Sequence, residues 1–177
     1  MGTGMIIIAA ILFAIILVPI VLLIQSTKNK SRILLRGLEA ATFNNSVITE
    51  HTEERNFAIG LDAQNNIFYF FKTFNNKETT QVAELSKMKS CNLVKKTKQI
   101  KTDKGSYEIV ESIALRFMPI KGSYVLTIEL YNDNENLQLN GELVVAETYV
   151  KKIKEILKKP NAVKTVQDEK NIEVAIA

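Results

Sequence analysis

Between Met5 and Ile24 the chain carries twenty consecutive residues without a charge, nearly all of them Ile, Leu, Val, Ala, Phe or Met. As a helix rising about 1.5 Å per residue, such a run is about 30 Å long, the thickness of a bilayer's hydrocarbon core. It predicts a transmembrane anchor over residues 1–27, with everything beyond lying outside the hydrocarbon. Pro19 is the one helix breaker in the run, which a membrane helix tolerates with a kink in its last turn. A cleaved secretory signal fits less well. No Lys or Arg precedes the run, the run is long, and Ile24-Gln25-Ser26-Thr27 lacks a small-x-small cleavage pattern.

Charge gives the anchor a direction. Residues 1–27 have no charged side chain, and then Lys28, Lys30, Arg32 and Arg36 arrive before the first acid, Glu39. The positive-inside rule places the C-terminal side in the cytoplasm and the N-terminus outside. These cations are expected against anionic lipid headgroups, at about 1 kcal/mol each. They also account for the net charge. The chain holds 23 Lys+Arg against 19 Asp+Glu, so without those four the balance is even. A nucleic-acid partner, which needs a basic face on the folded domain, is not indicated. One cysteine, Cys91, allows no internal disulfide, which suits a reducing compartment.

The remaining residues, about 140 of them, suffice for one domain with a core. Residues 28–45 read as a basic juxtamembrane segment and a short helix over 31–44, with Ser31 as N-cap and Leu34, Leu38 and Ala41 at helical spacing. Asn44-Asn45-Ser46 ends it. From Asn56 the period becomes two. Phe57, Ile59 and Leu61 predict a strand with one buried face. Ile67–Phe74 predicts a strand aromatic enough to be buried on both sides. Further strands are read at 79–82, 88–95, 99–102, 107–117 and 124–130, with residues 124, 126, 128 and 130 on one face. Asp103-Lys104-Gly105-Ser106 forms a hairpin loop. The stretch Thr49–Glu54 reads as an exposed loop. Leu143, Ala146, Val150, Ile153 and Leu157 form an apolar stripe on a last helix, with Asn140 as N-cap and Pro160 as the stop. Residues 46–159 are thus one domain and 160–177 a loose tail, in which Asn171–Ala177 has the pattern of a strand able to join a sheet edge.

The expected fold class is α+β: one transmembrane helix, then a mainly antiparallel bent sheet or barrel of six to seven strands capped by a C-terminal amphipathic helix. That order resembles the pleckstrin-homology-like fold. The phrases Phe57-Ala58-Ile59-Gly60-Leu61-Asp62, Thr79-Thr80-Gln81-Val82 and Tyr131-Asn132-Asp133-Asn134-Glu135-Asn136-Leu137-Gln138-Leu139-Asn140-Gly141-Glu142 resemble uncharacterised single-pass membrane proteins of Bacteroidota. The resemblance covers most of the chain and implies a bacterial inner-membrane location. It supplies no active residues.

Few residues suggest chemistry. His51 is the only histidine, so a zinc site, which wants several His or Cys ligands, is not expected. Cys91 as a nucleophile would need His51 beside it; a buried, inert thiol is the expectation. Asp133 and Glu135 share an Asn-rich loop that lacks the glycine and distal glutamate of an EF-hand, so an ordinary polar turn is expected rather than calcium. No phosphate-loop, dinucleotide, zincin or nucleophile-elbow motif occurs, and no cofactor is expected. Lys87–Lys104 carries seven lysines against Asp103, a local balance of +6, with about −4 over 37–86 and −2 over 105–177. Lys95, Lys96 and Lys98 are its candidate contacts for an anionic surface. The alternative is a solvated hairpin whose lysines discourage edge pairing.

The expected function is a membrane-tethered, non-enzymatic interaction module that binds a protein partner or an anionic lipid surface. An alternative is an accessory subunit packed through its membrane helix, where Gly2, Gly4, Ala9, Ala10 and Ala14 would allow close approach. An enzyme with a diffuse site is the third reading.

Overall fold

The computed structural model describes residues 3–42, 46–75, 77–102, 105–136 and 138–158. The readings of Asn44-Asn45 as a helix end, of Asp103-Lys104 as a loop and of 160–177 as a tail lie outside them.

The first element is a single helix, α1, from Thr3 to Ala40, unbroken through Pro19. It is long and apolar enough to cross a membrane. Its large side chains from Ile11 to Ile24 are exposed, Phe13 and Leu23 by 66 and 68%. An apolar surface of that extent on a helix of this length is what hydrocarbon would cover.

The separate short helix expected over 31–44 is instead the end of α1, and Ser31 sits inside it rather than capping it. Lys, Arg, Gln and Leu are good helix formers, so nothing between Gln25 and Ala40 stops propagation. Tertiary packing then secures the last turns. Leu34 and Leu38 are buried against Ala58, Tyr69 and Phe71, with Ala41, Ile48, Ile67 and Val82 around them.

Two antiparallel sheets follow. The first is β1 (Glu50–Glu53), β2 (Phe57–Asp62), β3 (Ile67–Phe74) and β4 (Lys77–Glu84), in that spatial order. A short 3-10 turn, Leu85–Lys87, leads into the second: β5 (Met88–Thr102), β6 (Gly105–Pro119) and β7 (Leu126–Asn132), also in order. Gln81 Nε2 donates to the Thr127 carbonyl at 3.3 Å, linking β4 to β7. The final helix, α2, runs from Glu142 to Lys158.

The core lies between the sheets. Phe57, Ile59, Leu61, Phe68 and Phe70 of the first sheet meet Cys91, Ile113, Leu115, Phe117, Ile128 and Leu130 of the second, and α2 contributes Ala146, Tyr149, Val150 and Ile153. The α2 stripe read from the sequence is the packed one, with Tyr149 added; its ring meets Phe68 edge-on at 5.9 Å. The helix begins one residue later than the expected cap, since the Gly141 carbonyl accepts from Val145 N–H.

Several local differences have physical causes. All six residues of β2 are buried, not one face of it, because α1 covers the outer face. Glu50–Glu53 is a strand: its polar residues pair through the backbone with Ala58–Leu61, which no apolar pattern announces. The stretch 88–102 is one continuous strand. Tyr124 precedes β7 and is 79% exposed. In β7, Ile113 and Ala114 pair with Tyr131 and Glu129, leaving Leu130 as a bulge that puts both Leu130 and Tyr131 in the core.

Close approach of α1 depends on two glycines. A Cβ on Gly37 would lie 2.3 Å from Phe71 Cζ, and one on Gly60 would lie 3.0 Å from Ile48 Cδ1 and 3.1 Å from Leu38 Cδ2.

Candidate interaction surfaces

The direction of α1 relative to the sheet fixes which end of the domain faces the apolar run. Ser31 Oγ donates to Glu53 Oε2 near the start of β2. Leu38 lies against Gly60, near the strand's end. The β1–β2 turn is therefore the near end, and the β2–β3 turn at Asp62–Ile67 is the far end, about 17 Å further along the strand.

At the near end, Thr27, Lys30, Ser31 and Leu34 of α1 and Glu53, Glu54 and Arg55 line a cleft of about 740 Å³. Its charges are balanced, two cations against two carboxylates. Burial, and next the neighbouring Glu142, raise the Glu54 carboxyl above the ordinary range. Glu142 is itself buried, and its carboxylate accepts from Asn140 N–H at 2.5 Å in the first turn of α2, where the helix dipole favours an acid.

The four sequence-predicted cations of α1 divide. Lys28, Arg32 and Arg36 recur every fourth residue, about 200° round the helix from Leu34 and Leu38, and form a ridge facing away from the sheet. Lys30 lines the cleft. Along the axis, Lys28 and Lys30 follow Ile24 by about 6 and 9 Å, and Arg36 by about 18 Å.

Lys95, Lys96 and Lys98 are exposed on β5, in the sheet on the far side of the core from α1. The two basic groups are thus not brought together. Lys98 is ion-paired with Asp133, whose hydrogen bond raises the ammonium pKa. Lys87 pairs with Glu84 at 2.7 Å. Acids from other segments therefore offset part of the +6 stretch. The Asn-rich loop is a turn: Asn132 Oδ1 accepts from Asn134 N–H and Nδ2, both at 3.0 Å. Both of its acids go to lysines, Asp133 to Lys98 and Glu135 to Lys72 at 2.5 Å. Among the described residues no group of three or more His, Cys, Asp or Glu is placed to hold a metal ion. His51 is an exposed β1 residue, 3.9 Å from Glu53 Oε1.

Cys91 is fully buried in the core. Burial pushes its thiol up to about 12, against a small opposing pull from Lys154. In the folded protein, alkylation by a maleimide at pH 8 is expected to run at least about a thousandfold slower than for a free thiol, and to become fast only in denaturant. Mass spectrometry of the labelled chain reads this directly.

Two surfaces escaped the sequence reading. One is at the far end. The Ile120 N–H donates to the Lys87 carbonyl, and Leu85 N–H donates to the Asn66 carbonyl, so the loop after β6 sits by the β2–β3 turn. It exposes Met118, Ile120, Tyr124 and Val125 beside Lys121. The signal was present: Ile120 and Tyr124 are large apolar residues flanking a Gly-Ser turn. The other is a groove between α2 and β5, floored by Leu93 and Val150. Its Lys151, Lys154 and Lys158 are spaced three and four apart, a spacing legible in the sequence.

Comparison with known protein families, with characterised proteins and with solved structures gives no match.

Proposed function

We propose that the protein is a membrane-tethered, non-enzymatic interaction module, with a pleckstrin-homology-like domain presented at the cytoplasmic face of a bacterial inner membrane. The observation that carries this reading is the continuity of α1 from the exposed apolar run to the buried Leu34 and Leu38. A helix that is both span and packing element holds the domain in one orientation at one height, whereas a flexible linker would not. Four strands, then three, then a closing helix support the pleckstrin-homology-like part.

Each end then has a role. Lys28 and Lys30 are the cations near enough to the apolar run to reach headgroup phosphates. The far loop, with Ile120 and Tyr124, is turned towards the cytoplasm and takes a protein partner. Tethering raises that partner's effective concentration if it too is at the membrane.

A photo-cross-linking residue at Ile120 or Tyr124 of the full chain, in native membranes, tests this reading. Adducts to a discrete protein are expected from both positions. Adducts from Ala14 alone, with none from the loop, would instead make α1 the contact, as in an accessory subunit.

A further inference from the structure

The groove between α2 and β5 has a volume of about 380 Å³, an apolar floor of Leu93 and Val150, and a rim of Lys151, Lys154 and Lys158 with Glu147 and Glu155. β5 is the edge of its sheet. Among the described strands it pairs with β6 alone, so one side of its backbone has no strand partner. An edge of this length is a template for another strand unless something covers it.

The sequence holds a segment suited to cover it. α2 ends at Lys158, on the rim of the groove. Further on, in Asn171-Ile172-Glu173-Val174-Ala175-Ile176-Ala177, Ile172, Val174 and Ile176 recur with the period of a strand. Residues 168–177 carry Asp168, Glu169 and Glu173 against Lys170, a net −2. The rim is net +1, and the exposed Lys89 and Lys95 of β5 add to it.

We infer that Asn171–Ala177 docks in this groove as a strand added to β5. Ile172, Val174 and Ile176 face Leu93 and Val150, and the acids face the rim lysines. The reach is sufficient. Residues 159–170 extend up to about 40 Å, and Met88–Lys95 of β5 is about 25 Å long. A tether of this kind gives an effective concentration on the order of 1 mM. An intrinsic dissociation constant of about 0.1 mM would then keep the groove about 90% occupied. While docked, the segment denies β5 to strands of other chains. The inference stands apart from the far loop and whatever that loop binds.

Hydrogen exchange on the full chain in nanodiscs tests it, comparing the natural sequence with the triple variant Ile172→Asp, Val174→Asp, Ile176→Asp. Amides from Lys89 to Lys95 are expected to exchange about tenfold faster in the variant, with β2 and β3 unchanged. Equal exchange at β5 would overturn the inference. As a second measurement, a benzophenone side chain at Val174 is expected to cross-link within its own chain to peptides containing Leu93 or Val150. Adducts elsewhere in the chain, adducts between two chains, or no adduct would each overturn it.

Discussion

Replacing Gly37 with leucine is expected to detach α1 from the four-stranded sheet while the core between the sheets stays folded. Even a single added carbon on Gly37 would sit 2.3 to 2.5 Å from three atoms of the Phe71 ring. That ring is buried and held beside Leu34, Leu38 and Tyr69, so it has nowhere to turn. Overpacking of this kind costs about 1–3 kcal/mol, and a leucine here belongs at the upper end. The loss is local because the α1 cluster and the inter-sheet core are separate sets of buried residues. At about 3 kcal/mol, opening of the junction should rise roughly a hundredfold. Limited tryptic cleavage at Arg32 and Arg36 reads it, with thermal unfolding of the inner core as the control. Unchanged cleavage, or loss of the whole domain at once, would contradict the separation of the two clusters.

Asp62→Asn is expected to cost about 2–4 kcal/mol at neutral pH. Asp62 is inaccessible to solvent and accepts from Ser46 Oγ at 2.5 Å, Val47 N–H at 3.1 Å, Gln64 and Asn65 N–H at 2.9 Å, and Asn65 Nδ2 at 2.8 Å. Tyr69 Oη donates to Ser46 Oγ at 2.8 Å, extending the network to the outer face of β3. An amide cannot accept on both of its atoms, so donors would be left facing a donor. The pH dependence follows from the same contacts. Burial pushes the carboxyl up, but the hydrogen bonds from Ser46, Asn65 and Val47 outweigh it, and the net pKa is lowered. A carboxyl lowered on folding contributes stability above its unfolded pKa of about 3.9 and loses it as pH falls through the folded value. The gap in urea midpoint between the natural protein and the variant, measured in detergent, should be full at pH 7 and shrink below pH 4. A gap that does not change with pH would assign the cost to packing instead.

Much of the sheet was legible because apolar alternation reports the faces that meet the core: Phe57, Ile59 and Leu61, or Ile113, Leu115 and Phe117. The polar pieces were not. Glu50–Glu53 is a strand through backbone pairing alone, and residues 96–98 of β5 are exposed lysines and threonine whose strand state depends on β6. The continuity of α1 was hidden for a similar reason. Lys28-Asn29-Lys30-Ser31 reads as a break, and only Tyr69 and Phe71, more than thirty residues on, supply the surface that Leu34 and Leu38 bury against. Among the candidate contacts, the exposure of Lys95 and Lys96 was legible. The capture of Lys98 by Asp133 was not, since the two are 35 residues apart in sequence.

Pulsed electron spin resonance on the full chain in nanodiscs tests the rigid tether most directly. With Cys91→Ala as background, spin labels replace Gln25, just past the apolar run, and Gln64, in the far turn. A single α1 that is both span and packing element predicts one narrow distance distribution, which Gly37→Leu broadens. A broad distribution in the natural sequence would contradict it, and the domain would then hang on a flexible linker.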